Sequence, residues 1–284
     1  MSNYEKIFIN PNQLKKIIEE EDNLMIFDAS FFLPNTGISA EKEYNKEHIK
    51  NSVFFDIDLI SDPNDKLPHM FPSKEIFTDH MQKLGLNNND NVIIYDNSPL
   101  LSSARCWFML RYFGHKKIRI LEGGINEWKV IGGETTNKVN PKQKGNFVAK
   151  EENNELVAKI DKVSAISTSQ SIKILDARSY ERFSGKGNEP RPGLKSGHIP
   201  NSLNLPANHL ISAPSHLKNN NELKKIISQF KISKNEKFIA TCGSGVSACV
   251  IALAFYCVMD NQNVSIYDGS WTEWVTKGYP IDEN

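Results

Sequence analysis

The chain repeats itself, and that constrains its fold more than any other feature. An apolar run closing on an acid, Leu24-Met-Ile-Phe-Asp28, returns as Ile172-Lys-Ile-Leu-Asp176. Glu47-His48-Ile49, then Asn51-Ser-Val, returns as Gly197-His198-Ile199, then Asn201-Ser-Leu. Val92-Ile-Ile-Tyr-Asp96 pairs with Phe238-Ile-Ala-Thr-Cys242. Ile118-Arg-Ile-Leu-Glu-Gly-Gly with Trp128 pairs with Val264-Ser-Ile-Tyr-Asp-Gly-Ser with Trp274. The spacings agree too: Asp28 to His48 is 20 residues and Asp176 to His198 is 22, while Asp96 to Trp128 and Cys242 to Trp274 are both 32. Matches in one order at one spacing make two homologous domains, residues 1–140 and 155–284. Residues 135–155, rich in Asn, Lys and Glu, read as the linker.

Each half alternates short β-rich runs with helical patterns. Leu14, Ile17 and Ile18 fall on one helical face. Ser73 is placed to cap a helix carrying Ile76, Phe77, Met81 and Leu84, with Gly85 just beyond its end. Leu223, Ile226, Ile227 and Phe230 repeat that face in the second half. The alternation predicts an α/β fold in both domains, a mostly parallel sheet with helices on both faces. Ligands of such sheets bind beyond the carboxyl ends of the strands, which directs attention to Asp28, Asp96, Asp176 and Cys242.

Composition removes several functional classes. Lys plus Arg and Asp plus Glu are both 34, so no global field steers the chain onto nucleic acid or an acidic membrane. The longest apolar run, Ala248 to Met259, is too short to span a bilayer. The N-terminus lacks an apolar signal core and is too acidic for an organellar transit peptide. A soluble, cytoplasmic protein is expected. The four cysteines, Cys106, Cys242, Cys249 and Cys257, have no C-x-x-C spacing, so no metal site is expected and the question is which thiol reacts. No long heptad or broad apolar patch is evident, so a monomer is the expectation. Only six arginines occur, at 105, 111, 119, 178, 182 and 191, and each is worth locating because Lys cannot reproduce a bidentate fork.

Cys242-Gly-Ser-Gly-Val-Ser-Ala follows a predicted strand and opens the helix from Ala248. Two glycines let successive backbone N–H groups turn inward, and the helix N-terminus adds partial positive charge. A cysteine at the head of such a cradle is favoured as the thiolate and can carry an anion on its sulfur. This loop, together with Leu175-Asp-Ala-Arg178, Glu181-Arg-Phe183, Glu189-Pro-Arg-Pro-Gly193, Ser196-Gly-His-Ile-Pro200 and Tyr267-Asp-Gly-Ser-Trp-Thr-Glu-Trp274, resembles the tandem rhodanese family. Within that family it is similar to the 3-mercaptopyruvate sulfurtransferases. Phe54-Phe-Asp-Ile-Asp58, Leu67-Pro-His-Met70 and Gly114-His115 extend the resemblance over the first half.

The resemblance implies two rhodanese-like domains, the first catalytically silent because Asp96 stands where Cys242 stands in the second. It implies a persulfide on Cys242 and ping-pong transfer, without metal or cofactor, to a thiol, cyanide or thioredoxin-like acceptor. The loop positions Gly243, Gly245, Val246 and Ser247 would cradle the donor, and Arg182 and Arg191 would hold its carboxylate. A relay of Ser244, His69 and Asp58 would manage the thiol proton. Ser247 departs slightly from the family, where Thr is usual; the hydroxyl is kept. Neutral Gly243 and Ser244 replace the basic residues of thiosulfate-using members, so mercaptopyruvate is the expected small-molecule donor, with thiosulfate:cyanide transfer or a persulfide carrier as alternatives. A cysteine phosphatase is excluded because its C-x5-R arginine falls on Ala248. Arg178 reads as structural, His48 and His198 as turn residues, Trp128 and Trp274 as core aromatics, and Cys106, Cys249 and Cys257 as buried.

Overall fold

Two five-stranded sheets carry the molecule, and they are built alike. The computed structural model describes residues 2–150 and 155–283. The first sheet contains β1 (Phe8–Ile9), β2 (Leu24–Asp28), β3 (Val53–Phe54), β4 (Asn91–Tyr95) and β5 (Ile118–Leu121), in the spatial order β1-β5-β4-β2-β3. The second contains β6 (Val157–Ala158), β7 (Ile174–Asp176), β8 (Leu203–Asn204), β9 (Phe238–Thr241) and β10 (Val264–Tyr267), in the order β6-β10-β9-β7-β8. Strand for strand the topology is the same. Every pairing within the two sheets is parallel. The central three strands of each sheet are largely buried on both faces, which is why they read as continuous apolar runs, whereas the edge strands β3 and β8 are partly exposed. The antiparallel pairs are small: His48–Ile49 with Thr135–Thr136, and Ile211–Ala213 with His216–Leu217.

Local chemistry sets the helix ends. Asn10 and Gln13 form a capping box on Pro11–Glu20, with Pro at its start. Ser73 caps Lys74–Lys83, and Asn219 with Glu222 caps Asn220–Ile227. One apolar cluster runs without a break from the first domain into the second. In it, Ser103–Tyr112 packs on Ala248–Met259, the helix that follows Cys242. Trp107 meets Tyr256 there at 5.5 Å, and the Arg111 guanidinium lies over both rings at 4.6 and 4.5 Å. The outer face of each sheet has its own cluster, one holding Trp128 and the other Trp274.

The segment expected as a linker is strapped to the first domain instead. Phe147 and Ala149 are buried in the main cluster, while Val148 between them is exposed. Asn88 brackets Asn146, its backbone N–H donating to Asn146 Oδ1 at 3.1 Å and its side chain to Asn146 O at 2.8 Å. Buried aromatic surface and paired amides outweigh the polar composition that made the stretch look free. Residues 151–154, the last part of that expected linker, lie outside the described residues.

Candidate active site

Cys242 sits at the end of β9, the central strand of the second sheet, and is 2% exposed. Its peptide is gripped from both sides by the turn after β10. The Cys242 N–H donates to Ser270 Oγ at 3.2 Å, and the Trp271 N–H donates to Cys242 O at 3.0 Å. The next peptide is held likewise, with the Thr272 N–H and hydroxyl donating to Gly243 O at 3.0 and 2.7 Å. Among the described residues, no protein acceptor takes the N–H groups of Gly243, Ser244, Gly245, Val246, Ser247 or Ala248. The loop therefore presents six consecutive backbone donors without a protein acceptor at a helix N-terminus, a setting suited to a negative sulfur. Gly245 lies at φ +81°, where a side chain is strained. At Gly243 an added Cβ would lie 3.0 Å from Arg182 Nη2 and 4.0 Å from Arg191 Nη1, so glycine lets the backbone lie close to both guanidinium groups.

The two arginines at that mouth differ. Arg182 is committed, its Nε and Nη2 donating to Glu189 at 3.1 and 2.5 Å. Arg191 makes no hydrogen bond or ion pair among the described residues. Burial pulls its guanidinium below the ordinary arginine value, and Cys242 and Asp58 draw it back up. Arg178 is fully buried on Asp176 (2.6 Å), Glu189 (2.8 Å) and Gly197 O (2.7 Å), with its guanidinium 4.1 Å over Trp271.

The first domain reaches into the loop. The structure brings Ser244, His69 and Asp58 into one chain: His69 Nδ1 lies 2.9 Å from Ser244 Oγ, and Nε2 donates to Asp58 Oδ1 at 2.7 Å. With Nε2 holding the proton, Nδ1 is free to accept from the serine hydroxyl. The hydrogen bond to His69 holds the Asp58 carboxyl below its ordinary value. The His69 side chain is 2% exposed and that of Asp58 is 70% exposed, so the chain runs from the loop to bulk water. His69 itself stands at φ +63°, after Pro68.

The second domain answers in kind. Ser215, after Pro214 and at φ +58°, reaches the first domain's counterpart of the cysteine loop and donates to Asp96 Oδ1 at 2.6 Å. The Asp96 carboxylate also accepts the N–H groups of Ser98 (3.1 Å) and Ser103 (2.9 Å), so it occupies the donor ring of its own loop. Burial raises its pKa despite these bonds.

The remaining residues singled out in the sequence fall as geometry requires. His48 Nδ1 donates to Tyr44 O at 2.7 Å and its ring stacks on Tyr44. His198 does the same with Phe183, at 2.9 Å. Trp128 and Trp274 are buried, as are Cys106, Cys249 and Cys257. Burial pushes the Cys249 thiol up to about 12 and raises the other two. Among the described residues no His, Cys, Asp or Glu side chains gather as a metal site, and no helix is long and apolar enough to cross a membrane. The sequence reading passed over Glu189, although it stands two residues before Arg191 in a motif already picked out. It also left Arg105 and Asp268 without a role.

A tandem α/β enzyme with one cysteine-centred cradle and one carboxylate-filled copy of it is the class that fold and site define. The Rhodanese-like domain family matches residues 10–130 and 155–277, and the chain belongs to that family as a two-domain sulfurtransferase. It is 38% identical over 268 residues to the 3-mercaptopyruvate sulfurtransferase of Escherichia coli K12, covering 94% of each chain. It is 35% identical over 260 residues to the 3-mercaptopyruvate sulfurtransferase of Rattus norvegicus, covering 90% of this chain and 86% of that one. The crystal structure of SseA from Escherichia coli, a 3-mercaptopyruvate sulfurtransferase by its description, superposes with a TM-score of 0.82 at 35% identity, covering 93% of this chain and 98% of that one.

Proposed function

We propose that the protein takes sulfur from 3-mercaptopyruvate onto Cys242 and releases pyruvate. The observation that carries this reading is the Ser244–His69–Asp58 chain at the cysteine loop. A thiol donor needs a proton moved between its sulfur and its carbon, and thiosulfate does not.

The substrate carboxylate is bound by Arg191, with Arg182 beside it, through charge-assisted hydrogen bonds. The Cys242 thiolate attacks the donor sulfur. The S–S bond forms as the C–S bond breaks, and the C–S electron pair passes into the enolate of pyruvate. The thiol proton leaves the sulfur through Ser244 to His69, and a proton returns to the carbon, completing the methyl group. What remains is Cys242–S–S⁻, held by the free N–H groups of residues 243–248. An acceptor nucleophile, a thiol or cyanide, then attacks the outer sulfur and the Cys242 thiolate departs. Gly243 leaves the position after Cys242 neutral where thiosulfate-using members carry a basic residue, and this favours mercaptopyruvate as the donor.

The test compares kcat/KM for 3-mercaptopyruvate and thiosulfate with one acceptor, using Cys242→Ser as the blank. Preference for mercaptopyruvate, lost in the blank, is expected. Preference for thiosulfate would overturn the reading.

A further inference from the structure

The relay rests on a residue in a demanding backbone conformation, and two buried groups hold it there. His69 at φ +63° is not a glycine, and its neighbours must impose the geometry. Arg105, in the helix Ser103–Tyr112 of the first domain, is 1% exposed. Its Nη2 donates to the His69 carbonyl, and its Nη1 donates to Gly245 O at 3.3 Å. One guanidinium thus ties the backbone that carries the histidine to the backbone of the cysteine loop. Asp268 supplies the other half. Its Oδ2 accepts the Phe71 N–H at 2.6 Å and its Oδ1 faces Arg105 Nη2 at 3.4 Å. The Phe71 ring closes the arrangement, 4.0 Å beneath the Arg105 guanidinium. Asp268 also stands two residues before Ser270, whose Oγ takes the Cys242 N–H. Residues 69–71 are therefore pinned at both ends, by groups that also anchor the loop they serve.

We infer that Arg105 and Asp268 are positioning residues that set His69 against Ser244, and so govern the proton-transfer step rather than the binding of the donor. This rests on the relay reading above. Neither residue touches the reacting atoms. Arg105 spans two carbonyls with separate nitrogens, a geometry an ammonium does not reproduce. Asp268 meets an amide and a guanidinium at once, which a neutral amide matches only in part.

The experiment uses the full-length protein with Arg105→Lys, Asp268→Asn and His69→Asn, alone and combined, each checked for folding by circular dichroism and thermal unfolding. Inorganic thiosulfate, which brings no thiol proton, serves beside 3-mercaptopyruvate. In Arg105→Lys, kcat for mercaptopyruvate is expected to fall about ten- to hundredfold, with KM within about twofold. Thiosulfate turnover is expected to fall by a clearly smaller factor, since only the loop anchor at Gly245 O is weakened and no thiol proton has to move. In the His69→Asn background, Arg105→Lys should add no more for mercaptopyruvate than the small loss it causes with thiosulfate, because the group it positions is gone and only the loop anchor is left to lose. Should Arg105→Lys fail to fold, Asp268→Asn carries the same expectations with less structural disturbance. Equal losses for both donors, or a full additional loss on top of His69→Asn, would overturn the clamp. Failure of the unaltered protein to use mercaptopyruvate would instead overturn the relay reading beneath it, so the two failures are distinct.

Discussion

Arg191 and Arg182 stand side by side at the loop, yet replacing them should give different enzymes. Arg191 makes no hydrogen bond or ion pair among the described residues, so Arg191→Ala removes chiefly what it offers the substrate, together with a weaker through-space attraction to Cys242 and Asp58. A hydrogen bond between charged groups contributes roughly 1.5–3 kcal/mol. The guanidinium is only partly buried, which favours the lower half of that range, about 2 kcal/mol. At about 1.4 kcal/mol per factor of ten, KM for mercaptopyruvate should rise about thirtyfold, with kcat little changed and thermal stability unmoved. Arg182→Ala should combine a KM effect with a loss of stability, because Glu189, whose side chain is 2% exposed, would keep only Arg178. Steady-state kinetics and a melting curve on both variants decide the matter. An unchanged KM in Arg191→Ala, or equal melting losses in the two, would refute the assignment of the free guanidinium to the carboxylate.

Asp28 is buried and its pKa is pushed up to about 6 from an ordinary 3.8, burial outweighing its bonds from Ser30. A carboxyl whose folded pKa is raised destabilises the fold as pH climbs from about 4 to 6, and the penalty is complete above that. A shift of about two units corresponds to roughly 3 kcal/mol, so Asp28→Asn should gain up to that at pH 7.5 and little at pH 4 in urea titrations. An equal gain at both would refute it. Phe147→Ala should lose roughly 3–5 kcal/mol in the same assay, where a free linker would lose nothing. Gly245→Ala should cost roughly 1–2 kcal/mol for its left-handed backbone, and turnover should drop because the new Cβ lies 3.1 Å from Arg105 Nη1. Full activity in that variant would show that the loop tolerates displacement.

What the sequence disclosed was what local pattern encodes. Strands appeared as apolar runs, the Ser73 cap as a serine ahead of a helical face, and Asp96 as the counterpart of Cys242 at the end of the matching strand. Fixed spacing within each half was enough for these. Phe147 and Ala149 were hidden because two alternating apolar residues carry little weight against a stretch of Asn, Lys and Glu. Arg105 was counted as scarce and never placed, since its acceptors lie in two other segments. Ser215 gave no local sign, because its meaning depends on a carboxylate contributed by the other domain. Contacts between the halves depend on how two copies pack, and no spacing within one copy reports that.

The exchange of straps between the halves bears on how such a sequence can drift. His69 and Ser244 are 175 positions apart, Arg105 and Asp268 163, and Asp96 and Ser215 119, yet each pair meets directly. A change at one member alters the surroundings of a partner in the opposite half. Substitutions in related chains should therefore arrive in matched pairs across the duplication, and the two copies should have diverged in concert rather than each at its own pace.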